Sequence, residues 1–149
     1  ANMYVVVANQ KEIKDLIDEI GLRRSEFDPK GIPIITQLPK DIHCMAMTSM
    51  SSEPNSAISS ALVIIRDELP DIMRRACIHE EIAQSLGLTN DSHFARPSIF
   101  NDDDEFATLT KLDEVLLQIL YDHRLYPGIS KKEASQLVRQ IAKEINISL

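Results

Sequence analysis

Apolar residues at 3–8 form a short unbroken run that reads as a strand. Asn9 and Glu12 follow with the spacing of a helix start, and Ile13, Leu16, Ile17 and Ile20 recur at helical intervals until Gly21. Residues 29–33 are rich in turn formers, and residues 32–36 are β-branched apart from Pro33. Two further candidate strands, at 43–48 and 60–65, flank a Ser/Pro/Asn-rich segment at 49–59 that reads as a loop over the sheet. From Pro70 the pattern runs without a breaker to Gly87, which predicts a helix with a glycine stop. Residues 88–108 show no sustained period and read as an irregular connection. Thr110 caps a run with Leu112, Val115, Leu116, Ile119 and Leu120 on one face. Ser130 and Glu133 open a last helix that buries Ala134, Leu137, Val138, Ile141 and Ile145. Strands early and helices late predict an α+β fold, one domain over 1–149 with an α/β part at about 1–69 and helices at about 70–149.

Composition narrows the function classes. The 149 residues are 44% hydrophobic, enough for a core, and carry a formal charge of -7 that repels nucleic acid and anionic membranes. The apolar runs, 61–65 among them, are far short of a membrane span, so no transmembrane segment is expected. The first eight residues lack a signal-peptide pattern, and the chain is expected to start inside a longer protein. Cys44 and Cys77 suffice for one disulfide, while two buried free thiols are an equally ordinary reading of the residues alone.

The helix at 70–87 carries the candidate chemistry. His79-Glu80 looks like the start of a zinc helix, but Ala83 stands where the second histidine would be. One residue on, Glu80-Glu81-x-x-Gln84-x-x-Gly87-x-x-Asn90 follows the HExxHxxGxxH spacing of the metzincin peptidases. Glu80, Gln84 and Asn90 take the histidine positions; Glu81 and Gly87 match the catalytic acid and the glycine. Positions 80 and 84 lie one turn apart on one helix face, and a positive φ at Gly87 would swing position 90 towards them. Residues 97–101 resemble the methionine turn with Phe100 in the methionine position, and Leu109, Asp113, Leu117, Leu120 and Tyr121 resemble the closing helix.

The same stretch, with Cys77, Asp91, Asn101, Tyr121 and Pro127-Gly128, resembles an uncharacterised proteobacterial family of unknown function, many of whose members are described as candidate lipoproteins. That resemblance covers about 50 residues, with the first 70 matching loosely. It implies a zincin-like fold, an exported protein that is periplasmic or lipid-anchored, and a disulfide between Cys44 and Cys77.

Carboxamides are poor zinc ligands, so no zinc and no other cofactor is expected. Glu80, Gln84 and Asn90 could hydrogen-bond to one another where zinc would sit. Calcium at Glu80, Glu81, Asn90, Asp91 and residues 102–104 is the weaker alternative, since the spacing is no EF-hand. Plainer roles exist too: Gln84 and Asn90 as caps, Phe100 as core, Arg74 and Arg75 as the solvated side of the helix, and isolated histidines at 43, 79, 93 and 123, with His93 the one near enough to the motif to enter it. The reading favoured is a non-catalytic module that binds an extended peptide or another cell-envelope ligand, with a Glu81-based hydrolase as the alternative.

Overall fold

A computed structural model describes residues 2–19, 37–52, 57–101 and 106–145. The chain runs β1 (Met3–Ala8), α1 (Gln10–Glu19), β2 (Cys44–Met50), β3 (Ile58–Arg66), α2 (Asp71–Ser85), α3 (Lys111–Leu120) and α4 (Lys131–Glu144). It is a small α+β fold, whose described residues form a three-stranded mixed sheet and four helices. Gly21, residues 29–36 and the acidic run at 102–105 lie outside the described residues.

The sheet order is β1-β3-β2, with β1 parallel and β2 antiparallel to the central strand. Residues 61–66 of β3 are all buried, because helices cover both faces of that strand. On one face Leu62 and Ile64 pack with Ala8 and Ile13, and Leu16, Met45 and Met47 close the rim. On the other, Val63 and Ile65 pack with Leu69 and Cys77, bordered by Cys44, Ala46 and Met73. Sequence alternation thus sorts directly into an α1 face and an α2 face. Of the segment expected as a loop over the sheet, its ends belong to strands, since β2 runs on to Met50 and β3 starts at Ile58, and Ser51 N–H donates to Ala57 O at 2.8 Å; residues 53–56 lie outside the described residues.

Local caps set the helix starts. The Asn9 side chain accepts from the N–H groups of Lys11 and Glu12, and Glu12 accepts from Asn9 N–H. Thr110 and Asp113 form the reciprocal capping box of α3, and Ser130 caps α4 by accepting from Glu133 N–H. Helix α4 buries Ile141 and Ala142 against Val115 and Ile119 of α3, with Leu137, Val138 and Ile145 partly covered.

Two arginines depart from the surface role such residues usually take. Arg66, only 6% exposed, donates to the carbonyls of Leu38, Pro39 and Ile42 and to the Glu68 carboxylate, tying the end of β3 to the segment before β2. Arg74, expected on the solvated side of α2, donates to the carbonyls of Asp67 and Leu69 and fastens the β3–α2 connection; Arg75 is exposed as expected.

Cys44 and Cys77 form a disulfide that joins β2 to α2 across 33 positions of chain. Closing a loop of this length restricts the unfolded chain by roughly 3 to 4 kcal/mol. Replacing both cysteines by serine is expected to lower the urea unfolding free energy by about that amount without moving the far-UV CD spectrum. A loss under about 1 kcal/mol would show that α2 holds its place on β2 without the bond.

Candidate functional site

Helix α2 approaches the sheet at β2, an edge strand among the described residues. Arg66 N–H donates to His43 O at 3.1 Å, which makes 43 and 66 a bonded pair of the antiparallel ladder. By alternation Cys44, Ala46 and Thr48 turn their backbone groups towards the side of β2 away from β3. Glu81 meets that side: its carboxylate accepts a hydrogen bond from the Ala46 backbone. Cys77 and Glu81 are one turn apart on α2, and they hold Cys44 and Ala46, two residues apart on β2.

Glu81 is 7% exposed. Burial, the Glu80 carboxylate and, more weakly, Asp91 push its carboxyl up from 4.5 to about 7, while the Ala46 bond opposes the shift. Three carboxyl groups therefore share one neighbourhood. Among the described residues no group of three or more His, Cys, Asp or Glu side chains is arranged to hold a metal ion. No hydrogen bond among the described residues joins Gln84 or Asn90 to Glu80, so the mutually satisfied trio expected from the motif is not formed. Gln84 is half-buried, and Asn90 and Asp91 are exposed. Calcium donors at 102–104 lie outside the described residues.

The turn geometry follows the motif more closely. Gly87 has φ +122°, and a Cβ there would stand 3.1 Å from Leu120 Cδ2, so the position favours glycine on conformation and on space. Tyr121, at the end of α3, donates its hydroxyl to Leu86 O at 2.9 Å and ties the α2 terminus to α3. Phe100 is buried with Ala83 and Ile99 beneath α2, where Leu88, Leu109 and Leu117 border it.

Residues 97–101 are held by Asp113, which is fully buried. Its carboxylate accepts from Ser98 Oγ, from the N–H groups of Ile99 and Thr110, and from Thr110 Oγ. Asn101, 1% exposed, donates through Nδ2 to Ala95 O. The sequence offered one sign of this network, the Thr110-x-x-Asp113 cap, but not its reach to Ser98.

Between the start of β2, the outer side of α2 and this turn lies a cavity of about 490 Å³. Glu80, Asn101 and His43 are its polar wall; Ile72, Met73, Ala76, Ile99, Phe106 and Ala107 are apolar, and both half-cystines touch it. Of the motif positions only Glu80 lines this cavity, together with Asn101 from the turn. Glu81, Gln84 and Asn90 do not. His43, read as an isolated histidine, lies in the wall; His79 accepts from Leu109 N–H, and His93 stacks on exposed Phe94 rather than entering the motif. A smaller apolar hollow of about 200 Å³ lies between α2 and α3 beside Ile78, Ile82 and Leu117.

Two outcomes follow. Asp113→Ala strands three donors, Ser98 Oγ and the N–H groups of Ile99 and Thr110, while the Thr110 hydroxyl keeps Pro97 O as its acceptor. The change is expected to cost at least about 3 kcal/mol in urea unfolding, Asp113→Asn distinctly less, and a loss under about 1 kcal/mol would remove the carboxylate from its anchoring role. For Glu81, the folded protein holds the proton more tightly than the unfolded chain, so its contribution to stability is full below pH 4.5 and is lost as pH rises to about 7. Glu81→Gln keeps an acceptor for Ala46 N–H and removes the charge. The variant should match the wild type near pH 4 and exceed it at pH 8 by on the order of 3 kcal/mol in denaturant titrations. A variant less stable than the wild type at pH 8 would contradict the burial argument.

Comparison with curated proteins and with solved structures found no match. A family model described as a protein of unknown function matches residues 1–140, and so includes the N-terminal part that the motif resemblance covers only loosely. The chain belongs to this family of proteins of unknown function, DUF2927.

Proposed function

We propose that this protein is a non-catalytic peptide-binding module of the cell envelope, built on a zincin-like plan that has lost its zinc histidines. The observation that carries the reading is the separation of Glu81 from the cavity. A general base must reach its substrate within hydrogen-bonding distance or through one water. Glu81 is instead buried against Ala46, outside the cavity wall, while Glu80, Asn101 and His43 present binding groups in a largely apolar hollow. A cavity of this size with few polar groups suits a side chain of a bound segment. The adjoining edge strand offers Thr48, of the same parity as Ala46, for backbone pairing with an extended peptide. A disulfide fits an oxidising compartment and supports export, whether the protein is periplasmic or lipid-anchored.

One observation favours the hydrolase reading: a carboxyl near pH 7 is what a general base requires. Incubation with an elastase digest of casein, followed by mass spectrometry of retained and released peptides, separates the two. The module reading expects a retained subset with no new termini, unchanged in Glu81→Gln and lost in Ala76→Trp, which fills the cavity. New peptide termini that disappear in Glu81→Gln would establish the hydrolase instead.

A further inference from the structure

We infer that the outer face of α4 docks on an anionic phospholipid surface through a stripe of Lys132, Arg139 and Lys143. At about 100° per residue these three positions fall within about 40° of one another around the helix. They lie opposite Leu137, Ile141 and Ile145, which pack towards α3, and all three are exposed. Ser135, Gln136 and Gln140 complete this side of the helix, so it carries no carboxylate. Glu133 and Glu144 stand on the flank, where Glu144 is held by Arg124. None of the three stripe residues is paired with a carboxylate among the described residues, in contrast to Arg124, which binds both Asp122 and Glu144.

The formal charge of -7 opposes such docking only if it is spread evenly, and it is not. Residues 121–149 carry five Lys or Arg against three Asp or Glu, whereas residues 1–120 carry eleven against twenty. Exposed charges further apart than a Debye length, about 8 Å at physiological salt, are largely screened. The face laid on a surface therefore counts for more than the net charge, and the acidic remainder turns α4 towards an anionic surface. The stripe extends over about 16 Å of helix. A single phosphate calls for groups that converge on it, while a spread row matches an extended anionic surface. A protein partner would need apolar or aromatic anchors at the centre of its interface, and the stripe contains none. The disulfide fits an oxidising compartment, where lipid rather than nucleic acid supplies such a surface. This last step shares the exported reading above; nothing in the inference depends on the cavity or on peptide binding.

The test is co-sedimentation of the full chain at low salt with vesicles of equal parts phosphatidylglycerol and phosphatidylcholine, and with vesicles of phosphatidylcholine alone. Binding is expected to the mixed vesicles only, and to weaken as salt is raised. Changing Lys132, Arg139 and Lys143 together to glutamine should lower the partition coefficient at least about tenfold. Changing the exposed Lys11, Lys14 and Lys40 to glutamine removes the same charge elsewhere and should alter it by less than about twofold. Equal binding to both kinds of vesicle, or equal losses in the two triple variants, overturns the assignment. So does self-association of the wild type in sedimentation velocity that the α4 variant abolishes, without binding to vesicles, since the stripe then serves a second copy of the chain.

Discussion

The placement of α2 against the side of β2 away from β3 is the constraint from which the candidate site follows. Cys77 and Glu81, one helical turn apart, engage Cys44 and Ala46, two residues apart on the strand. A turn of helix rises about 5.4 Å and two strand residues about 6.6 Å, so the two repeats are close enough for both contacts to form at once. Once Glu81 is committed to the strand, its neighbour Glu80 is rotated by about 100° around the helix, to the side where the cavity lies. The covalent contact and the polar contact therefore decide which of two adjacent glutamates is buried and which lines the cavity.

The far wall of the cavity depends on a second anchor. Asp113 is buried and accepts four hydrogen bonds, from Ser98, Ile99 and Thr110, so the start of α3 and the turn at 97–101 move as one piece. Phe100 then fills the space beneath Ala83, and Asn101 is delivered to the cavity. The residue in the methionine position of the resembled turn thus packs under the helix as an apolar support, without any metal being needed to explain it.

Features governed by short-range chemistry were legible in the sequence. The strands and helices at 3–8, 71–85 and 111–120, the caps at Asn9, Thr110 and Ser130, and the positive φ at Gly87 all depend on residues within a few positions of one another. The motif residues Glu80, Glu81 and Gln84 do lie on one helix, α2. The geometry of the motif was less legible, because Asn90 lies past the glycine bend and its direction is set by packing on α3, through Leu120 and the Tyr121 bond to Leu86. Arg66 and Arg74 gave no local sign of their roles, since their carbonyl partners become available only when distant segments meet. The cavity could not be read either: it combines the start of β2, the outer side of α2 and a turn some twenty residues further on.

The central claim, that α2 buries Glu81 against β2 and leaves Glu80 to the cavity, is tested most directly by following the Glu81 carboxyl carbon and the Ala46 amide by NMR from pH 4 to pH 9. The account predicts that both titrate together with a midpoint near 7. A Glu81 midpoint near 4.5, with an Ala46 amide indifferent to it, would contradict the account.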